Sequence, residues 1–183
     1  QPESSAASDV YKRQAYMCTK DIDGNAVSLI QSNFHGIGST IGVGDLGFFL
    51  HNRGAGFNLV QNHPNSIKPG RKPLHTLSPT MWSVDDNLDM VIGTRGGRYQ
   101  PQLLSHFILK ILKNENLEDA MYSPRWNIDE FGKETTSKLN IEPGLNEKIK
   151  NELISKGHKV NQLEELQNSY GPISAIIKSG DNW

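Results

Sequence analysis

The 183-residue chain carries 19 Lys and Arg against 20 Asp and Glu, a net charge of −1. No nucleic-acid or membrane-surface field follows from that balance, and no apolar run approaches the ~20 residues of a membrane-spanning helix. The length fits one domain, and the single cysteine, Cys18, excludes an internal disulfide while leaving the compartment open.

Residues 4–14, Ser-Ser-Ala-Ala-Ser-Asp-Val-Tyr-Lys-Arg-Gln, read poorly as protein. The codons for Asp9–Gln14 can be written GATGTGTATAAGAGACAG, the sequence of a transposon adapter used in sequencing libraries. Residues 1–14 are therefore set aside from the fold as adapter-derived, and 15–183 are taken as the domain. From Ala15 the pattern is strand, turn, strand. Tyr16-Met17-Cys18 suits a buried strand thiol better than a reactive one. Asp21-Ile22-Asp23-Gly24-Asn25 reads as a hairpin turn with glycine available for positive φ, and Ala26–Gln31 as its second strand. Asp21 and Asp23 lack the later oxygen ligands of a calcium loop, so a plain turn is expected. Ser32–Ser39 follows as a glycine-punctuated loop whose Ser and Asn can bond their own backbone. Gly47–His51 reads as a further short apolar strand ending at Asn52-Arg53-Gly54-Ala55-Gly56-Phe57.

The most informative stretch runs from Pro69 to Gln102. A Pro/Gly/basic loop leads into His75-Thr76-Leu77-Ser78-Pro79-Thr80. Strand-like runs Met81–Val84 and Leu88–Ile92 flank the polar turn Asp85-Asp86-Asn87. Gly93-Thr94-Arg95-Gly96-Gly97 then opens onto a helical pattern. A glycine pair at a helix start lets backbone approach a ligand with free N–H groups aimed outward. Such donors suit a carboxylate, a phosphate or an oxyanion, and Arg95 and Arg98 beside them suit an anion or surface ion pairs. Leu103, Leu104, Phe107, Ile108, Ile111 and Leu112 mark one face of an amphipathic helix, with His106 at its edge. A short helix over Leu117–Tyr122 precedes Ser123-Pro124-Arg125. Asp129–Asn140 reads as strand and loop, Pro143 as the start of a helix that Gly157 ends, and Val160 and Pro172–Ile177 as late strands. Strands, then two helices, then strands indicate an α+β class.

Taken together, Asp23–Ser28, Asn52–Phe57, Pro69–Leu74 with Leu77–Thr80, Gly93–Gly97 and Ala120–Arg125 resemble, in order and spacing over 15–178, the small C-terminal chain of the gamma-glutamyltransferase family. That family includes the cephalosporin (glutaryl) acylases, N-terminal-nucleophile hydrolases made as one precursor that cuts itself in two. The resemblance implies the small-chain half of a four-layer αββα sandwich, truncated at both ends, with a large chain of the same precursor as partner. It implies an acyl-enzyme on an N-terminal threonine, with the free α-amine as base. Counted back from Asp23-Gly24-Asn25, that threonine position falls on Gln14, so this chain as written is expected to be inert.

By the same resemblance Gly96 and Gly97 form the oxyanion hole, and Ser32 holds a hydroxyl near the nucleophile. Asn33 stands one residue off the family's asparagine position, which Phe34 occupies. His75 and Thr76 replace two serines that bind a substrate carboxylate, and His75 is read as a contact or wall residue, not a base. The transpeptidases' aspartate for the substrate ammonium aligns with Gly56, and Arg53 takes a neighbouring polar position that favours an anion. With Phe57–Pro69 too short for a lid, these departures match the lidless, acylase-like branch. Arg125 is read as architectural. The implied substrate is a small γ-glutamyl amide such as glutathione. A glutaryl- or cephalosporin-type amide hydrolase is the alternative, and a non-catalytic binding paralogue the rival from another class. No cofactor, metal, nucleic-acid or membrane partner is implied, and the family's location is periplasmic or cytoplasmic in bacteria.

Overall fold

Among residues 14–128, 138–167 and 170–183, which the computed structural model describes, strands and helices form an α+β fold in two compact units. The first unit comprises residues up to Gln100 together with Pro172–Trp183. Strands β1 (Ala15–Lys20) and β2 (Ala26–Gln31) pair antiparallel from Ala15 opposite Gln31 to Lys20 opposite Ala26. Their turn closes as the sequence predicts: Gly24 takes φ +91°, and the Asp21 carboxylate accepts the backbone and side-chain N–H groups of Asn25, both at 2.8 Å. Those bonds hold the Asp21 carboxyl below the usual carboxylate range. The aspartate is committed to the turn.

Strands β3 (Thr80–Val84) and β4 (Asn87–Thr94) form the second hairpin, joined through Asp85 and Asp86 at φ 48° and 62°. Two successive left-handed residues make the mirror-image turn that matches strand twist. The last strand of the chain, β8 (Ile173–Ile177), pairs antiparallel with the other edge of β4. β4 is thus central, and Met90 to Thr94 are buried. The first hairpin packs on β4, and β1 also touches β8.

The strand expected over Gly47–His51 does not form. Only an isolated bridge joins Gly42 and Phe49. The segment bonds back to its own loop through Ser39 N–H to Leu50 O (2.8 Å) and Leu50 N–H to Ile41 O (3.0 Å). Phe48, Phe49 and Leu50 stay exposed. The neighbouring loop segment takes backbone groups of Phe48 and Leu50, but the pairing stops at one bridge and does not extend into a ladder.

The second unit, residues 101–171, holds α1 (Gln100–Leu112, whose first residue belongs to the first unit), α2 (Leu117–Tyr122) and α3 (Glu147–Ser155). Its sheet orders β5 (Trp126–Ile128), β6 (Lys138–Ile141) and β7 (Lys159–Gln162). β5 runs antiparallel to β6, and β7 runs parallel after the α3 crossover. Leu103, Leu104, Phe107 and Ile108 are buried as the α1 periodicity predicts, while Leu112 at its end is exposed. α3 starts later than Pro143 suggests. Gly144 sits at φ 97°, which breaks helical continuation, and the Asn146 side chain caps the helix by accepting Lys148 N–H at 2.8 Å. Of the predicted Asp129–Asn140 segment, 129–137 lie outside the described residues.

His106 stacks on Trp126 with ring centroids 3.9 Å apart, and neither ring nitrogen has a hydrogen-bond partner among the described residues. Burial, helped by the Lys110 charge one turn away, lowers its pKa to about 4. The folded state therefore holds His106 neutral where the unfolded chain, with the ordinary value of 6.5, protonates it. Stability is fully present above 6.5 and is lost as pH falls toward 4, by about 3 kcal/mol over that window. Unfolding followed between pH 7 and 4 should show this slope, and His106→Phe, which keeps a ring on Trp126, should remove it. An unchanged slope in the variant would exclude His106 as its source.

Candidate active site

The loop after β4 is built to present backbone donors. Thr94, wholly buried, donates from Oγ1 to Pro172 O and Arg95 O, both at 3.0 Å. Gly96 at φ 135°, a conformation that only glycine adopts without strain, and Gly97 at φ 56° then turn the chain into α1. Tyr99 N–H returns to Gly96 O at 3.0 Å. Buried Gln100 accepts Ser78 N–H at 3.0 Å, tying the His75–Pro79 loop to the same turn. Sequence reading missed Thr94 and Gln100, whose buried polar side chains have no periodic signature.

With their own carbonyls so arranged, the Gly96 and Gly97 N–H groups both point at one acceptor. It is Oε1 of Gln14, at 3.3 and 3.5 Å. These are long bonds to a neutral carbonyl; an oxyanion would draw them to about 2.7–3.1 Å. Position 14 is placed by the hairpin. One step beyond the Ala15–Gln31 pair, the β1–β2 register sets it across from Ser32.

Ser32 links this pair to a buried cation. Its carbonyl accepts Arg53 Nη2 at 3.4 Å, and its hydroxyl accepts Phe34 N–H at 3.0 Å. Arg53 is only 5% exposed. It also donates from Nη1 to Thr76 Oγ1 at 3.3 Å and lies 5.3 Å from the centre of the Phe34 ring. Burial lowers its pKa, yet a guanidinium stays charged. No carboxylate pairs with it among the described residues. A buried cation held only by a hydroxyl, a carbonyl and a ring face is costly unless an anion arrives.

Gly96 and Gly97 thus meet at Gln14, and Arg53 joins Ser32 to Thr76. The other two predicted binding residues are not drawn in by any hydrogen bond. Asn33 spends its Nδ2 on Ile37 O at 3.2 Å. His75 is exposed, and its Nδ1 accepts Leu77 N–H at 3.4 Å. At Gly56 an added methyl would meet Leu74 at 3.5 Å or more, so space does not require glycine there. Arg95 is half-buried with its Nε lacking a partner, while Arg98 is exposed. Among the described residues no His, Cys, Asp and Glu side chains gather into a metal-binding group.

Similar proteins carry the same stretch. The chain is 34% identical over 163 residues to the glutathione hydrolase-like YwrD proenzyme of Bacillus subtilis, a match spanning 88% of this chain and 31% of that protein. It is 32% identical over 164 residues to the oxamate amidohydrolase proenzyme of Klebsiella pneumoniae, with 89% and 31% covered. Cephalosporin acylase from Bacillus halodurans superposes with a TM-score of 0.77 at 32% identity, covering 90% of this chain and 30% of the other. The chain therefore spans about a third of the length of these relatives. The family model for gamma-glutamyltranspeptidase matches residues 2–183, and the chain belongs to the gamma-glutamyltranspeptidase family.

Proposed function

We propose that this chain is the oxyanion and acyl-binding part of an enzyme that transfers or hydrolyses the acyl group of a small amide, through an ester on a threonine at position 14. The observation that carries this reading is the Gln14 carboxamide on the Gly96 and Gly97 N–H groups. In an acyl-threonine the carbonyl oxygen is four bonds from Cα, through Cβ, Oγ1 and the acyl carbon. In glutamine Oε1 is likewise four bonds from Cα, through Cβ, Cγ and Cδ. Gln14 Oε1 stands in for the acyl oxygen of that ester, seated on the two donors that would stabilise it.

In the proposed reaction the threonine hydroxyl attacks the amide carbon and its proton passes to the free α-amine of the same residue. The amide oxygen takes negative charge against Gly96 and Gly97 N–H. The C–N bond breaks, the proton leaves with the amine, and water or an acceptor amine cleaves the ester. Ser32 Oγ, across the ladder from position 14, supports the nucleophile. Arg53 and Thr76 receive a carboxylate of the acyl group, with Asn33 and His75 as neighbouring contacts. Met17, Val27 and Leu29, roughly half exposed on the first hairpin, offer an apolar face to the large chain of the same precursor. Residues 1–14 remain, in this reading, adapter-derived rather than part of the domain.

The acyl group most favoured by the family is γ-glutamyl, as in glutathione. A second reading, a glutaryl-type amide, is supported by Arg53: a buried cation without a carboxylate nearby suits an anion and offers nothing to an α-ammonium. Two amides with one leaving group decide between them in a complete precursor bearing threonine at 14. Faster turnover of the glutaryl amide displaces the γ-glutamyl assignment, and turnover of neither ends the acyl-transfer reading. Arg53→Gln should raise KM for either by about 10- to 100-fold, the worth of one or two charge-assisted hydrogen bonds.

A further inference from the structure

One contact joins the strand that carries position 14 to the strand that leads to the oxyanion loop. Residues 14 and 16 lie on the same face of β1, where half-buried and exposed positions alternate from 14 to 20. The Tyr16 ring lies flat against Gly93, which is buried in β4 and pairs with Ser174 of β8. A methyl group on Gly93 would come 2.1 Å from one ring carbon and 2.5 Å from a third. Tyr16 also reaches β2, its hydroxyl sharing a 2.9 Å hydrogen bond with Ser28 Oγ. Three residues after Gly93 comes Gly96.

We propose that Tyr16 and Gly93 are positioning residues that set the distance between position 14 and the Gly96 and Gly97 amides. The ring acts as a spacer of fixed thickness between β1 and β4. Glycine is required beneath it because any side chain would lift β1 away from the loop. The Tyr16–Ser28 bond fixes the ring along the strand, and burial raises the Tyr16 hydroxyl to about 12, so it does not ionise under working conditions. An isolated glycine inside a strand pattern marks close approach of another group, and here that group is the tyrosine. The inference rests on position 14 being the point of attack.

Relieving a 2.1 Å contact to an ordinary ~3.5 Å needs a shift of roughly 1.4 Å. A misplacement on the order of 1 Å at a reacting centre costs about 100-fold in rate. Arg53 and Thr76 lie on other segments, so binding should be spared. In the complete precursor with threonine at 14, Gly93→Ala should lower kcat about 100-fold with KM changed less than about threefold. Tyr16→Leu should do likewise. Tyr16→Phe keeps the ring on Gly93 and should hold kcat within about threefold. A crystal structure of the Gly93→Ala precursor should show residue 14 displaced by on the order of 1 Å from the Gly96 amide. Unchanged kcat in Gly93→Ala, or residue 14 unmoved in that crystal, overturns the proposal. If no form turns over any amide, the crystal still decides: displacement upholds the spacer while the proposed chemistry fails.

Discussion

Gln14→Thr, made in a precursor that supplies the large chain, should raise amide turnover by at least about 10³-fold over the glutamine form. Two separate effects combine in that change. A carboxamide nitrogen or oxygen is no nucleophile at neutral pH, so the glutamine form has nothing to attack a substrate carbonyl. Gln14 also occupies the Gly96 and Gly97 N–H groups with its own Oε1, and on the proposed reading a substrate carbonyl must displace it. Gln14→Ala separates the two effects, since it clears the donors without adding a nucleophile. It should bind amides better than the glutamine form and turn them over no faster. Gln14→Ser should recover part of the threonine rate. Mass spectrometry of the peptide bearing residue 14 should find the acyl group there in the threonine and serine forms and not in the glutamine or alanine forms. If the alanine variant matches the threonine variant in rate, position 14 is not the nucleophile, and the ester mimicry is coincidental.

How much of this was legible in the sequence depends on how local each feature is. Both hairpins were, because their turns demand left-handed residues and the sequence supplies Gly24, then Asp85 and Asp86. The buried face of α1 was equally clear from its period. The Gly96–Gly97 turn stood out only through its combination with the neighbouring motifs, since a glycine pair at a helix start is by itself weak evidence. Gly47–His51 misled because apolar content is a local property while a strand needs a continuous ladder, and here the pairing with its own loop stops at one bridge. Asn146, not Pro143, starts α3, since a left-handed Gly144 lies between them. Arg53 was identified by position, but its burial against Thr76, 23 residues away, and its lack of a carboxylate partner among the described residues are carried by no pattern. Tyr16 on Gly93 was missed for the same reason, although the lone glycine in a strand was the available clue. His106 looked like a helix-edge residue; only the chain's return at Trp126 shows it enclosed.

Glu142→Ala should destabilise the chain by about 3–5 kcal/mol, the largest stability loss expected from any single substitution considered. The Glu142 side chain is 1% exposed and has both oxygens engaged. Oε2 accepts Arg125 N–H at 3.0 Å and Arg125 Nε at 2.8 Å. Oε1 accepts Arg125 Nη2 at 2.6 Å and Gln167 N–H at 2.7 Å. Arg125 then donates to Gly171 O at 2.6 Å and lies 5.4 Å from the centre of the Tyr170 ring. The pair thus satisfies backbone groups on three segments of the second unit. Removing the carboxylate leaves a part-buried guanidinium and two backbone N–H groups unmatched at once. Removing both partners leaves fewer, because the stranded charge goes with them. Arg125→Ala combined with Glu142→Ala should therefore cost less than the two single substitutions summed, with a coupling on the order of 1–3 kcal/mol. Denaturant midpoints of the four forms measure this directly. Strict additivity would mean that the ion pair contributes no more than its packing, and that Arg125 serves the fold through its backbone contacts alone.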